Sequence, residues 1–156
     1  MSAKPTPSPS RKRAGSRKKL PEMVRRQHAV VATLAKYRAR AFDWKAKATC
    51  LHMTWFHLRR MGRRPPALPQ IGSLLAARRE LAKRGWDNVG DVLDAIGLER
   101  IAPAAMRLGD LAMLEDDTGL GGMVISASAG KVIGWGEDAD GMVVLLPLEI
   151  AAAWRV

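Results

Sequence analysis

Few residues of this chain could carry chemistry, and the first of them is its single cysteine, Cys50. Cys50, Met53, Phe56, His57 and Met61 recur at three- to four-residue intervals up to Gly62, so the spacing predicts a helix that Cys50 opens and the glycine stops. A thiol in that position meets free backbone amides and the positive end of the helix dipole, and both favour the thiolate. Lys45, Lys47, Arg59 and Arg60 lie nearby in sequence and push the same way. A helix-opening cysteine with a histidine on a neighbouring strand is the physical plan of a thiol hydrolase. The plainer alternative is a small buried hydrophobe, and residue chemistry taken alone favours it.

Other chemistries find less support. The histidines are His28, His52 and His57, and with one cysteine they do not give a zinc pattern; His52 and His57 are five apart, off a common helix face. Gly119 to Gly122 reads GLGG without the Lys-Ser/Thr ending of a phosphate loop, and no Gly-x-Ser-x-Gly elbow occurs. The acidic pairs Asp116/Asp117 and Glu137/Asp138 fall in turns, where solvation explains them better than paired-carboxylate hydrolysis. No metal and no cofactor is expected.

The elements that must position Cys50 follow from periodicity and punctuation. Residues 22–40, after Pro21, carry Val24, Val30, Val31, Leu34 and Tyr37 at mostly helical spacing. The three prolines of residues 63–72 (RRPPALPQIG) demand an extended loop. Ser73 is placed to cap a helix from Leu74 to Arg84, and Asp87 to cap a shorter one from Val89 to Ile96. The pattern then changes to strands over 109–114, 123–126, 131–135 and 142–146, separated by turn signals at Ala129-Gly130 and at residues 138–141. Helices first and an antiparallel meander afterwards predict an α+β domain. Of the five tryptophans (Trp44, Trp55, Trp86, Trp135 and Trp154), most read as core anchors.

Charge divides the chain. The net +11 resides in residues 1–41, which hold 12 Lys/Arg and the single acid Glu22; the remainder is neutral. Within that remainder residues 42–84 are basic and 85–156 acidic, a dipolar body that suits internal attraction or head-to-tail stacking of copies. Residues 1–21 form a Pro/Ser-rich arm whose composition is that of a disordered segment. Arg11, Lys12, Arg13, Arg17, Lys18 and Lys19 would make it an interaction arm, and it contains no aromatic for base stacking. The three expected units are thus the arm (1–21), an amphipathic helix (22–40) and an α+β domain (41–156). No stretch has the length of a membrane span, and Ala29 to Ala35 is too short, and too far from Met1, for a signal peptide.

An ordered set of motifs adds a family resemblance. Phe42-Asp43-Trp44, a short loop, Cys50 opening a helix, Arg107-Leu108-Gly109-Asp110-Leu111, Gly122 to Ser126, Gly130 to Ile133 and the closing Ala153-Trp154-Arg155-Val156 resemble the NlpC/P60-like proteins encoded among phage and prophage tail genes. The resemblance covers residues 41–156. It implies a papain-like fold in which a cysteine at a helix N-terminus attacks cell-wall stem peptides. A histidine on the second strand would act as base and a polar residue on the third would orient it. Cys50 matches the nucleophile, with Thr49 competing if the preceding loop is aligned one residue shorter. The histidine position falls at Gly122 and the orienting position near Gly134, and no histidine follows His57. His57 lies two turns down the cysteine's own helix, about 10 Å along the axis, and His52 points roughly the other way.

The resemblance therefore implies a degenerate hydrolase fold kept as a structural part of a tail tip, hub or baseplate. Such a protein would be made in the host cytoplasm and end in the virion, with other tail proteins as partners and a second copy of the chain as a further candidate. Two rivals stand beside it. One is an active cell-wall cysteine peptidase or amidase using Cys50; the other is a nucleic-acid-binding protein acting through the arm, with DNA contact the less favoured role.

Overall fold

The computed structural model describes residues 2–7, 20–137 and 140–156. The six basic arm residues Arg11, Lys12, Arg13, Arg17, Lys18 and Lys19 lie outside the described residues, as do two residues of the 138–141 turn.

Four helices precede the sheet, as the periodicity predicts. Helix α1 (Glu22–Tyr37) follows Pro21, whose fixed φ suits a helix entry, and stops three residues earlier than expected. Helix α2 (Cys50–Arg60) is capped by Thr49, whose hydroxyl accepts from the His52 amide. Helix α3 (Leu74–Lys83) is capped as expected by Ser73, which accepts from the Ala76 amide at 3.1 Å. Helix α4 (Val89–Ala95) corrects the expected cap. Asn88, not Asp87, accepts from the Asp91 amide, and the Asp91 carboxylate reaches back to the Asp87 amide at 2.8 Å. The reciprocal pair satisfies two donors, which a cap at Asp87 alone would not do.

The strands are β1 (Glu99–Ile101), β2 (Leu111–Leu114), β3 (Gly122–Ser128), β4 (Lys131–Trp135), β5 (Met142–Leu145) and β6 (Ala152–Arg155). All pairings are antiparallel, in the order β1-β6-β2-β3-β4-β5. The α+β class is as expected, and β2 to β5 form the expected meander. The sheet as a whole corrects it, because β6 returns from the far edge to lie between β1 and β2. Alanine-rich β6 and three-residue β1 carry little strand propensity; long-range pairing with β2 selects them.

The faces of the sheet differ. Leu111, Met113, Met123, Ile125 and Ile133 meet the helices in the main core, with Leu51, Met53, Leu58 and Leu93. The opposite face carries small residues (Ala112, Val124, Val132 and Ala153) under Met106 and Ile150. Trp154 on β6 is fully buried, and its indole donates to Asp94 at 2.9 Å. A Cβ on Gly90 would lie 2.9 Å from that indole ring, so α4 can approach the sheet only with glycine there. Tyr37, Phe42, Phe56, Trp44 and Trp135 pack edge to face with centroids 5.6–6.0 Å apart, tying the end of α1 to α2 and β4.

At the other end of α1, a charged network holds the layers together. Arg26 is 3% exposed and Asp110 fully buried, and their ion pair is 3.0 Å long. The Asp110 carboxylate also accepts from Arg155 at 2.7 Å and from the main-chain amides of Arg107 (2.7 Å) and Val156 (3.0 Å). Arg26 donates further to the carbonyl of Leu108, to the main-chain oxygen of Val156 and to Glu22. Helix α1 is thereby built into the body of the fold.

Removing one partner of a buried, fully hydrogen-bonded pair strands the other charge, at about 3–5 kcal/mol. Asp110→Ala and Arg26→Ala should each lower the unfolding free energy by about that amount in urea titrations. A loss below about 1 kcal/mol for either, the range of an exposed pair, would contradict the account.

Candidate functional site

Cys50 occupies the first turn of α2, as its spacing predicts, on the floor of a cleft of about 940 Å³. The walls are the proline-rich loop 66–71, helices α3 and α4, the loop 114–122 and the adjoining ends of β4 and β5. The Trp55 indole holds the proline loop in place by donating to the Pro66 carbonyl at 2.6 Å. The Arg78 side chain donates to the Thr118 carbonyl and fastens the acidic loop to α3. Thr49 is fully buried as the cap of α2, and its hydroxyl meets His52 Nδ1 at 2.7 Å. That engagement leaves Cys50 as the residue of the pair that faces the cleft.

The electrostatics around the thiol differ from the sequence expectation. Burial pushes the Cys50 thiol up from its ordinary value; the Met123 main-chain amide on β3 pulls it down, and Asp116 pushes it up again. The four basic residues expected to activate it are placed elsewhere. Lys45 and Lys47 ride an exposed turn closed by the Asp43–Ala48 bridge. Arg59 and Arg60 are at the far end of α2, about 13–15 Å along its axis. Desolvation therefore wins over the helix dipole, and the thiol is the resting form at neutral pH.

The two family positions without side chains lie in the same region. Gly122 opens β3 and lines the cleft with Cys50, next to the residue whose amide faces the thiol. A Cβ on Gly122 would meet nothing nearer than the Leu114 carbonyl oxygen at 3.9 Å. It would, however, share the sheet face of Ala112 and Val124, away from the helices, so a side chain there would approach the thiol around the strand end. Gly134 on β4 is closed: a Cβ there would come within 2.7 Å of Val124. Val124 thus occupies the space that an orienting side chain would need.

The histidines serve other purposes. His28 is exposed on α1. His57 is fully buried at the opposite end of α2, with Nε2 2.7 Å from the Gly109 carbonyl and Nδ1 3.2 Å from Thr33 Oγ1. A carbonyl can only accept, so Nε2 carries the proton, and the single Thr33 hydroxyl hydrogen has two acceptors in reach, the Ala29 carbonyl at 2.8 Å and Nδ1 of the neutral ring at 3.2 Å. Burial holds His57 below its usual range, against the opposing pull of the Gly109 and Ala29 carbonyls. His52 is lowered too, by burial and then by Lys47 and Lys36. Among the described residues no group of three or more His, Cys, Asp or Glu is gathered to hold a metal ion, and no helix is long and apolar enough to cross a membrane.

Sequence reasoning missed the Arg26–Asp110–Arg155 network and the His57 strut. The signal for the first was the acid of the Gly109-Asp110 pair, set before an apolar strand where a solvated carboxylate has no place.

The pattern of a family described as a domain of unknown function (DUF6950) matches residues 22–156, from the start of α1 to the last residue of the chain. The chain belongs to that family. No curated protein matches it significantly.

The His57 arrangement makes stability depend on pH. The folded protein keeps the ring neutral while the unfolded chain takes up a proton below about 6.5, so stability is lost as pH falls from there towards the folded value. Between pH 7 and 5.5 the wild-type Tm should fall more steeply than that of His57→Gln, which keeps a donor and an acceptor without the charge. Equal slopes, or a wild-type Tm that rises on acidification, would contradict this.

Proposed function

We propose that this member of the DUF6950 family is a catalytically silent papain-like domain of the NlpC/P60 type, serving as a structural component of a phage or prophage-derived tail at its tip, hub or baseplate. The observation that carries the silent half of this reading is the state of Cys50. It opens a helix packed on an antiparallel sheet, as a papain-like nucleophile does, yet burial keeps it protonated and no histidine lines the cleft with it. The order of parts supports the fold type: a cysteine helix, then the Gly109-Asp110 strand start, then β3 where the family histidine would sit, then β4 where its orienting partner would sit. With Gly122 bare and Gly134 closed by Val124, thiol attack would have neither a base to take the proton nor an acid for the leaving amine. The tail assignment rests on the motif resemblance over residues 41–156.

An active cell-wall peptidase is the second reading, favoured by the placement of Cys50 on the floor of a large cleft. It requires a base supplied by another chain. The nucleic-acid reading depends on the basic arm alone and gains nothing from the described residues.

Two measurements test the proposal. Wild-type protein and Cys50→Ala should release stem peptides from purified cell walls at the same background rate, and peptide mass spectrometry of purified particles should find the protein with the tail proteins. Turnover that depends on Cys50 would overturn the silent half, and consistent absence from particles would overturn the structural half.

A further inference from the structure

The cleft that holds Cys50 has walls of one chemistry and a rim of another. Its interior is apolar, built around Trp44, Leu51, Trp55, Ile71 and Leu81. Its charged residues are Glu80, Arg84, Glu115, Asp116, Asp117 and Glu137. The one base, Arg84, is already paired with Glu80 at 2.7 Å. Asp116 is engaged by Thr118 and the Gly121 amide, which fold the loop. Among the described residues Glu115, Asp117 and Glu137 form no ion pair, and all three are exposed. The apolar lining continues outward to Leu146, which is 72% exposed. An apolar cleft with an unneutralised acidic rim suits a cationic segment carrying an apolar side chain.

The chain contains such a segment. Residues 11–20 read RKRAGSRKKL: six basic residues, no acid, and a final Leu20 that is half-exposed. The place where it joins the fold decides whose cleft it meets. Helix α1 begins beside the start of β2, where Glu22 lies 3.9 Å from Arg107 and Arg26 pairs with Asp110. The cleft opens at the other end of β2, at Leu114 and the acidic loop that follows. The cationic segment thus departs from one end of the molecule while the acidic cleft opens at the other, a head-to-tail arrangement that repeats from copy to copy. Leu20 lies two residues before α1, so the neighbour's cleft must abut this end of the molecule, and the residues before Leu20, about 30 Å long when extended, can then run along its rim.

We propose that the cleft of one copy receives residues 11–20 of a second copy, with Leu20 entering the apolar interior and the basic residues meeting Glu115, Asp117 and Glu137. The proposal rests on the cleft being structural rather than catalytic. Its test reads association and not turnover, so its failure leaves that reading standing.

The experiment uses the full chain in sedimentation velocity at about 50 mM and about 500 mM salt, where the screening length falls several-fold. The arm variant replaces Arg11, Lys12, Arg13, Arg17, Lys18 and Lys19 with Gln. The rim variant carries Glu115→Gln, Asp117→Asn and Glu137→Gln. Wild-type protein should form a salt-sensitive series of oligomers, and each variant alone should stay monomeric. An equimolar mixture of the two variants should form dimers and nothing larger, since only one intact contact remains. Monomeric wild type at low salt, a rim variant that associates like wild type, or a mixture that stays monomeric would each overturn the proposal. The first outcome is what an arm folded onto its own cleft would give.

Discussion

A single buried carboxylate fixes the arrangement of this fold. Asp110 has no contact with water, and its two oxygens accept four hydrogen bonds: from Arg26, Arg155 and the main-chain amides of Arg107 and Val156. An unpaired charge in that position would cost several kcal/mol, so α1, the turn into β2 and the end of β6 must arrive together. The His57 strut reinforces the same corner, since Gly109, which accepts from its ring, adjoins Asp110. Among the described residues, no buried side-chain nitrogen or oxygen lacks a hydrogen-bond partner.

Much of this was legible in the sequence, and what was not has physical causes. Helices α2 and α3 follow directly from apolar spacing, Ser73 and the stop at Gly62, because local capping chemistry decides them. The meander β2 to β5 follows from alternation and turn residues. The positions of β1 and β6 do not, because their residues are weak strand formers and only partners far along the chain select them. The cap of α4 was misplaced by one residue, since Asp87 and Asn88 offer the same chemistry and only the reciprocal bond to Asp91 separates them. Cys50 opens its helix where the spacing places it, while the lack of an activating cation was not legible, because sequence proximity to Lys45, Lys47, Arg59 and Arg60 says nothing about where a turn and a helix carry them.

The cysteine and the charges around its cleft form one surface. A nucleophile at a helix N-terminus gains from the dipole, yet desolvation exceeds that gain where the cleft's one cation, Arg84, is paired with Glu80 and no histidine lines it. Here Asp116 adds a further penalty on the thiolate. The acidic rim that disfavours a cysteine anion favours a cationic guest, so one set of charges argues against catalysis and for binding. The basic arm then has a place in the account.

The central claim is that Cys50, on the floor of its cleft, is unactivated, and the pH dependence of its alkylation in the folded protein tests that most directly. The account predicts a rate below that of a free thiol through pH 8.5, rising on unfolding, with Cys50→Ala as the blank. A folded-state rate that follows a titration well below about 8.5 would show an activated thiolate, contradict the silent-domain account and return the cleft to catalysis.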